Sequence, residues 1–209
     1  MSEILREIFA GLKKPRSGWI KRDIPLEVAE TILLHVKKFV KAAKIYGKIV
    51  SWIDWELLVE MALYHDIAEY KEKDYLPWEI TLEEKFRREK AVIDTLREMF
   101  HKGQRIYEVW MEYEEQKTRE AIAAKQLDIM DTSVQALYYS RLGYKSVHDF
   151  FPWTEEKLKD SLLVKIWNIL IHSNFECDIF EQYFLLLELQ GDEESFYKLM
   201  KSREENKAQ

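Results

Sequence analysis

The sequence predicts an all-α fold, and three observations support this prediction. The chain of 209 residues contains 6 glycines and 4 prolines, so few positions interrupt regular structure. Long stretches place apolar residues three and four positions apart, which is the spacing of one helix face. Patterns typical of strands are scarce, and the sequence contains no evident internal repeat or domain linker. We therefore expect one helical domain spanning residues 1–209, long enough to bury a full core.

Charge and cysteine content exclude several classes of protein. The 32 Lys and Arg residues against 38 Asp and Glu residues give a formal net charge of −6 without a basic tract, so we expect no extended nucleic-acid partner. The sequence has neither a signal-peptide core nor a run of about 18 apolar residues, so we expect no membrane partner. Its single cysteine, Cys177, cannot form an intramolecular disulfide, which predicts a cytoplasmic location.

Breaking and capping residues predict the helices in the first quarter of the chain. An amphipathic helix is expected over residues 2–12, followed over 13–22 by a loop with several cations. This loop is either a solvated connector or an anion-binding loop with an aromatic lid. Pro25 fits the first turn of the next helix, which is expected to run to about Tyr46 and stop at Gly47. The inward stripe of that helix holds a histidine among apolar residues, as core histidines often are: Ile32, His35, Val36, Phe39, Val40 and Ala43.

Side-chain caps predict most of the remaining helices. Asp54 is expected to cap a third helix that carries His65 inward at its C-terminal end, and Pro77 ends the segment that follows. Thr81 and Glu84 form a capping box that opens a further helix. Downstream helices are expected over about 81–100, 104–115, 118–139, 154–171, 177–189 and 192–202, with Thr118 and Thr154 as N-caps of two of them.

Four polar side chains are expected to face the interior from three separate helices. His65 and Asp66 are neighbours in the chain, while His35 and Asp128 come from other helices; Asp131 lies on the same face as Asp128. Two imidazoles and two carboxylates form a mixed set that suits Mn²⁺, Co²⁺, Ni²⁺, Fe²⁺, Zn²⁺ or Mg²⁺. A divalent ion lowers the pKa of a coordinated water and offsets the charge of a phosphoryl group.

This set resembles the HD-domain metal-dependent phosphohydrolases, whose pattern is a His, then a His-Asp pair, then a distant Asp. Other segments look like the 5′-deoxynucleotidase-like, oxetanocin-type branch of that superfamily, and they occur in the same order. The resemblance implies an HD-domain core over about residues 12–140, followed by a C-terminal helical extension over about 145–205. The similar segments are 15–19 with Arg22, 30–35, 61–74 ending at Pro77, 83–89, 112–114, 120–121 and 125–128.

The resemblance also implies a metal centre and the groups that handle protons beside it. One divalent metal ion would activate a water molecule for attack on phosphorus. Glu69 would transfer protons next to that water, and Asp74 would support the water or the leaving oxygen. The implied metal ligands are His35, His65, Asp66 and Asp128.

The implied substrate is a small nucleotide. Arg16 would contact a 5′-phosphate, Trp19 would pack near the sugar, and Arg22 would support that pocket. In the family the reaction converts a nucleoside 5′-monophosphate, often the deoxy form, to nucleoside and phosphate. Family members usually form homodimers, so a homodimer is expected here too.

Two departures from the family pattern leave alternatives open. Leu34 stands where the family usually has an acidic residue before its first His, and a different register would put Thr31 where His35 is expected. Lys73 precedes Asp74, where the branch often has a small residue. The first interpretation is a metal-dependent nucleotide phosphohydrolase. A non-catalytic protein of the same fold that binds a metal or nucleotide is the second, and a purely structural role for His65 and Asp66 is the third.

Overall fold

The computed structural model describes residues 3–76 and 78–207, so the predicted break at Pro77 lies outside the described residues. Within them the fold is all-α, as predicted. None of the described helices has both the length and the apolar character needed to cross a membrane. The helices are α1 (Glu3–Leu12), α2 (Ser17–Ile20), α3 (Ile32–Ile49), α4 (Trp55–Tyr64), α5 (Leu82–Met99), α6 (Gly103–Glu115), α7 (Arg119–Arg141), α8 (Phe150–Lys157), α9 (Ser161–His172), α10 (Ile179–Glu188) and α11 (Glu193–Lys207), with 3-10 turns at Ile67–Tyr70 and Lys145–Val147.

Helix α7 is the central element. Helices α3, α4, α6, α8, α9 and α10 all pack against it. Its buried residues therefore lie around most of its circumference, and they include polar ones as well as Leu127, Met130 and Val134. A helix surrounded in this way is buried along most of its faces, and on α7 the exposed residues, such as Ile122, lie toward its ends. The carboxylates of Asp128 and Asp131 consequently lie inside the molecule, in contact with side chains from α3.

The start and end of α3 differ from the sequence prediction. Pro25 does not open the helix; it forms a turn in which its carbonyl accepts from the N–H groups of Val28 and Ala29. Helix α3 begins at Ile32, where the Thr31 hydroxyl accepts from the Leu34 N–H at 3.2 Å as an N-cap. The helix starts after Thr31 rather than at Pro25 because backbone hydrogen bonds join Arg16 to Glu30 and Ile32 to Lys14, which holds the preceding chain in an extended form.

Gly47 lies inside α3 instead of ending it, because the glycine serves close packing. A Cβ at this position would lie 2.6 Å from the Trp55 Cβ, so only glycine allows α3 and α4 to approach each other here. The helix continues to Ile49. The sequence signal for a helix end was therefore wrong at this glycine.

Three predicted N-caps are confirmed, and one is wrong. The side chains of Asp54, Thr81 and Thr118 accept backbone N–H groups at the starts of α4, α5 and α7. Thr154 instead lies within α8, where its hydroxyl donates to the Phe150 carbonyl at 2.6 Å. Asp160 caps the following helix, α9, by accepting from the Leu163 N–H at 2.9 Å.

Candidate functional site

The His65-Asp66 pair lies where α4 ends and the chain turns. His65 is the C-cap residue of α4, and its Nδ1 donates to the Ala62 carbonyl at 3.1 Å. Asp66 leaves the helical conformation and leads into the 3-10 turn. This change of direction brings an imidazole Nε2 and a carboxylate Oδ2 within 3.1 Å of each other. Adjacent residues on a continuing helix would point about 100° apart.

The four predicted ligands converge on one point. His35 Nε2 lies 3.1 Å from His65 Nε2, 3.3 Å from Asp128 Oδ1 and 3.7 Å from Asp66 Oδ2. Helix α3 supplies the first of these side chains, the end of α4 supplies two, and α7 supplies the fourth. Among the described residues, His35, His65 and Asp66 form a group whose ligand atoms lie within 4.8 Å of one another.

This cluster needs a positive charge at its centre. The Nδ1 atoms of both imidazoles face oxygen acceptors, Asp131 Oδ2 at 2.8 Å for His35 and a carbonyl for His65. In the neutral tautomers this geometry favours, both Nε2 lone pairs face each other and two carboxylates. Burial and Arg16 lower the pKa of His35, but its hydrogen bonds with Asp128 and Asp131 outweigh them and raise it to about 9. A divalent cation fits where that proton would otherwise lie.

The structure brings His35, and not Thr31, to this cluster. His35 is fully buried, whereas the Thr31 hydroxyl is engaged at the start of α3. Leu34 is 47% exposed. Lys73 forms an ion pair with Glu79. The geometry therefore favours the register in which His35, rather than Thr31, takes the first ligand position.

A cavity of about 580 Å³ opens from the cluster. Its volume is in the range of small-molecule sites. Asp66 and Asp128 line it together with aromatic rings and several cations. Arg16 also lines it, and its Nη1 donates to Thr132 Oγ1 at 3.3 Å and lies 3.6 Å from Glu30 Oε2. Burial lowers the pKa of Arg16, but Glu30 and the nearby site carboxylates outweigh it and raise that pKa.

The two predicted proton-handling carboxylates differ in their surroundings. Glu69 is buried, and its Oε2 has no hydrogen-bond partner among the described residues. Burial raises the pKa of Glu69 well above its ordinary value, and Asp66 and Asp74 raise it further. Asp74 accepts the Ser17 N–H at 2.6 Å. Both side chains line the cavity, and Asp74 also links its wall to the segment that carries Arg16.

Trp19 and Arg22 border the same cavity, in different ways. Trp19 is only 2% exposed, and its indole N–H donates to Glu30 Oε2 at 3.0 Å. Arg22 forms an ion pair with Asp149 at 2.6 Å, and its guanidinium lies 4.4 Å from the centre of the Phe150 ring. Trp19 is thus largely a packing residue, while Arg22 ties the Arg16 segment to α8.

Sequence reasoning assigned no role to several charged residues of the cavity wall. Tyr113 donates to Asp128 Oδ2 at 3.0 Å, and Lys125 donates to the same oxygen at 2.9 Å. Lys85 pairs with Glu89 at 3.2 Å. Burial raises the pKa of Glu89 to about 7, with Asp66 and Glu114 adding to the effect and Lys85 opposing it. All of these residues belong to the family-like segments, and that was the signal available in the sequence.

Comparisons with known proteins identify the family of this chain. Residues 12–167 match the model of the HD domain family. A frog protein (Xenopus laevis) named 5′-deoxynucleotidase HDDC2 is 32% identical over 73% of this chain and 76% of its own length. The human protein of that name is 30% identical over 78% and 81%, respectively.

Solved structures also share the fold. The crystal structure of the PH0347 protein from Pyrococcus horikoshii is 27% identical, with a TM-score of 0.64 over 78% of this chain and 96% of that one. A protein from Pyrococcus furiosus has a TM-score of 0.63 at 24% identity, covering 78% of this chain and 95% of its own. Family match, relatives and metal-ligand geometry lead to one conclusion: the chain belongs to the HD-domain family, among relatives named 5′-deoxynucleotidases.

Proposed function

We propose that the protein is a divalent-metal-dependent phosphohydrolase that converts deoxynucleoside 5′-monophosphates to deoxynucleoside and phosphate. The observation that carries this proposal is the convergence of His35, His65, Asp66 and Asp128 at the edge of a cavity that Arg16 also lines. The names of the relatives support the choice of substrate class. A phosphate monoester requires charge neutralisation and a positioned water, and these residues supply the groups for both.

In this proposal each site residue has a distinct task. A divalent ion held by the four ligands would polarise the phosphoryl group and make a water molecule more acidic. Arg16 binds the phosphate oxygens, for which its planar guanidinium is suited. Glu69 would accept a proton from the water as its oxygen bonds to phosphorus, and would return a proton to the 5′-oxygen as the ester P–O bond breaks. Asp74, which accepts the Ser17 N–H, would support the water or the leaving oxygen.

Two further residues hold the ligands in place. Tyr113 and Lys125 both donate to Asp128 Oδ2, which leaves Asp128 Oδ1 directed at His35 Nε2 and the metal position. Outer partners of this kind orient metal ligands and tune their affinity. We assign Tyr113 and Lys125 to positioning rather than to contact with the substrate.

Activity on a nucleotide panel tests the proposal. The purified protein, supplied in turn with Mn²⁺, Co²⁺, Ni²⁺, Zn²⁺, Fe²⁺ and Mg²⁺, should release phosphate from deoxynucleoside monophosphates, and His65→Ala should abolish that release. His172→Ala is the control, because His172 is exposed on α9. If no ion and nucleotide combination gives phosphate release, the proposed hydrolase activity is refuted. Tight nucleotide binding in calorimetry without turnover would support the non-catalytic alternative.

We also propose that the protein is a homodimer in the cytoplasm. The dimer rests on the family resemblance, and the location rests on the single cysteine. Sedimentation equilibrium should return a mass of twice 25.2 kDa. A single species at the monomer mass, at concentrations well above those of the activity assay, would contradict the dimer.

A further inference from the structure

A second carboxylate cluster lies directly behind the metal ligands. Glu30, His35 and Asp131 are all buried, and their ligand atoms lie within 4.8 Å of one another. By distance alone this group also resembles a metal site. Two buried carboxylates this close would repel each other strongly without a compensating cation.

The protein supplies that cation itself. The ammonium of Lys38, on α3, contacts Glu30 Oε1 and Gln135 Oε1 and lies 3.8 Å from Asp131 Oδ2. Lys38 is 9% exposed and its Nζ lies 3.7 Å from the centre of the Phe180 ring. Carboxylate, amide and aromatic groups therefore surround the ammonium.

The network acts on the metal site through one hydrogen bond. Asp131 Oδ2 accepts from His35 Nδ1 at 2.8 Å, which orients the ring with Nε2 toward the other ligands. Asp131 is fully buried, and among the described residues Lys38 is the lysine or arginine whose charged group lies within 4.0 Å of its carboxylate. Ligands held in this way bind metal about 10–100-fold more tightly than unsupported ones.

Residues beyond the matched family segment enclose this network. The family match ends at residue 167, and Phe180 belongs to α10, which packs against α3 and α7. The centre of the Phe180 ring lies 3.7 Å from the Lys38 ammonium, so α10 contributes directly to the surroundings of this cation. The C-terminal part of the chain thus contributes to the environment of the metal centre.

We propose that Lys38 acts as a built-in cation in place of a second metal ion, and that it holds Asp131 and thereby His35 in the metal-binding orientation, with Phe180 of α10 covering the ammonium. Lys38 and Asp131 are positioning residues, since neither is among the four ligands. The inference rests on the proposed metal-dependent function and extends it to residues with no assigned role.

The metal affinity of the metal-free protein, with all 209 residues present, tests this inference. Calorimetric titration with Co²⁺ should show affinity about 10–100-fold lower for Lys38→Met and for Asp131→Asn than for the wild type. The Co²⁺ absorption spectrum should shift in both variants because the orientation of His35 changes. Lys41→Met is the matched control: Lys41 is exposed on the same helix and lies 4.0 Å from the Phe184 ring of α10, outside the network.

The double variant separates positioning from a general loss of structure. If Lys38 acts through Asp131, Lys38→Met should cause little further loss of affinity in the Asp131→Asn background. If the losses of Co²⁺ affinity in the two single variants add up in the double variant, the inference is overturned. Single variants with wild-type affinity and spectrum would overturn it too, and neither result would affect the proposed function. A wild-type protein that binds no divalent ion would overturn the proposed function as well. Should Lys38→Met not fold, the affinity and spectrum of the nearly isosteric Asp131→Asn decide the matter.

Discussion

Glu69 is the residue whose surroundings best match a proton-transfer role. It is buried beside Asp66, and burial together with neighbouring carboxylates raises its pKa. A carboxylate with a raised pKa is a stronger base than an exposed one, which suits it to accept a proton from a water molecule. The Glu69 side chain is not among the four ligands that converge at the metal position, so its removal should affect turnover more than metal binding.

We therefore expect Glu69→Gln to lower kcat roughly 10²–10⁴-fold while Co²⁺ affinity stays close to wild type. Initial rates of phosphate release and calorimetric titration measure the two quantities. Glu72→Gln is the control, because Glu72 lies on the same segment and accepts from Tyr75. Equal losses of kcat in both variants, or loss of metal binding in Glu69→Gln, would contradict the proton-transfer role.

Glu89 should make the stability of the metal-free protein depend on pH. Its pKa is about 7 in the folded chain, raised first by burial, against an ordinary value of 4.5. Between these values the folded state binds more protons than the unfolded state, so the free energy of unfolding falls as pH rises. The free energy of unfolding of Glu89→Gln should lack about 3 kcal/mol of this fall between about pH 4.5 and 7.

Urea denaturation in EDTA at several pH values measures this dependence. Glu84→Gln is the comparison, because hydrogen bonds from Arg87 and Arg88 lower the Glu84 pKa to about 2. Its contribution is present above about pH 4.5 and is lost as pH falls toward 2, so the slope above pH 4.5 should not change. An unaltered slope in Glu89→Gln would show that burial does not hold the proton.

At the level of single residues, the sequence predicted which two imidazoles and two carboxylates converge, but not the charged groups behind them. His65-Asp66 is visible as an adjacent pair at the end of an apolar helix, and the spacing of the family motifs adds His35 and Asp128. Lys38 carries no such signal, because a lysine on a helix is normally exposed. Glu30 lies in a family-like segment, but the sequence does not show that its carboxylate pairs with Lys38. Their burial depends on α7 and α10 packing over α3, which a local pattern does not encode.

Among the elements, helix starts with a side-chain cap were predictable, and starts set by tertiary contacts were not. Asp54, Thr81 and Thr118 each accept backbone N–H groups within three residues, so the local sequence is sufficient. The local sequence also predicted helix starts at Pro25 and Thr154, and both predictions were wrong. At Pro25 the backbone pairing of residues 14–16 with 30–32 decided the outcome, and Thr154 instead bonds within the core to Ser133.

Helix α4 positions His65, so its cap should affect both stability and the site. The Asp54 carboxylate accepts from the N–H groups of Glu56 and Leu57 at 3.0 and 3.2 Å. We expect Asp54→Ala to lower the free energy of unfolding by about 1 kcal/mol, as measured by urea denaturation. Ser51→Ala, at an exposed position in the preceding turn, should change it by less than about 0.5 kcal/mol. Equal effects would show that the cap contributes nothing specific.

For the whole molecule, the arrangement of the core argues against a separable C-terminal unit. One core cluster contains residues from α3, α4 and α7 together with residues from α9 and α10, such as Trp167 and Tyr183. Lys38 on α3 lies against Phe180 on α10, so a charged network also joins the two parts. Separating the C-terminal helices would expose apolar surface on α3 and α7 and uncover a buried lysine.

We therefore expect the chain of 209 residues to unfold in a single cooperative step. Calorimetry should give one transition. Its van't Hoff enthalpy should equal the calorimetric enthalpy per mole of the species that unfolds, which is the dimer in the state proposed above. The measurement requires metal-free protein, because a bound ion would raise the melting temperature by mass action. Two single-tryptophan variants report on the two parts of the chain: one keeps Trp110 in the HD-domain core, and the other keeps Trp167 in α9. The fluorescence of both variants should change at the same temperature. Two midpoints would mean that the extension is a domain of its own, and α10 could then dissociate from α3 without loss of the metal ligands.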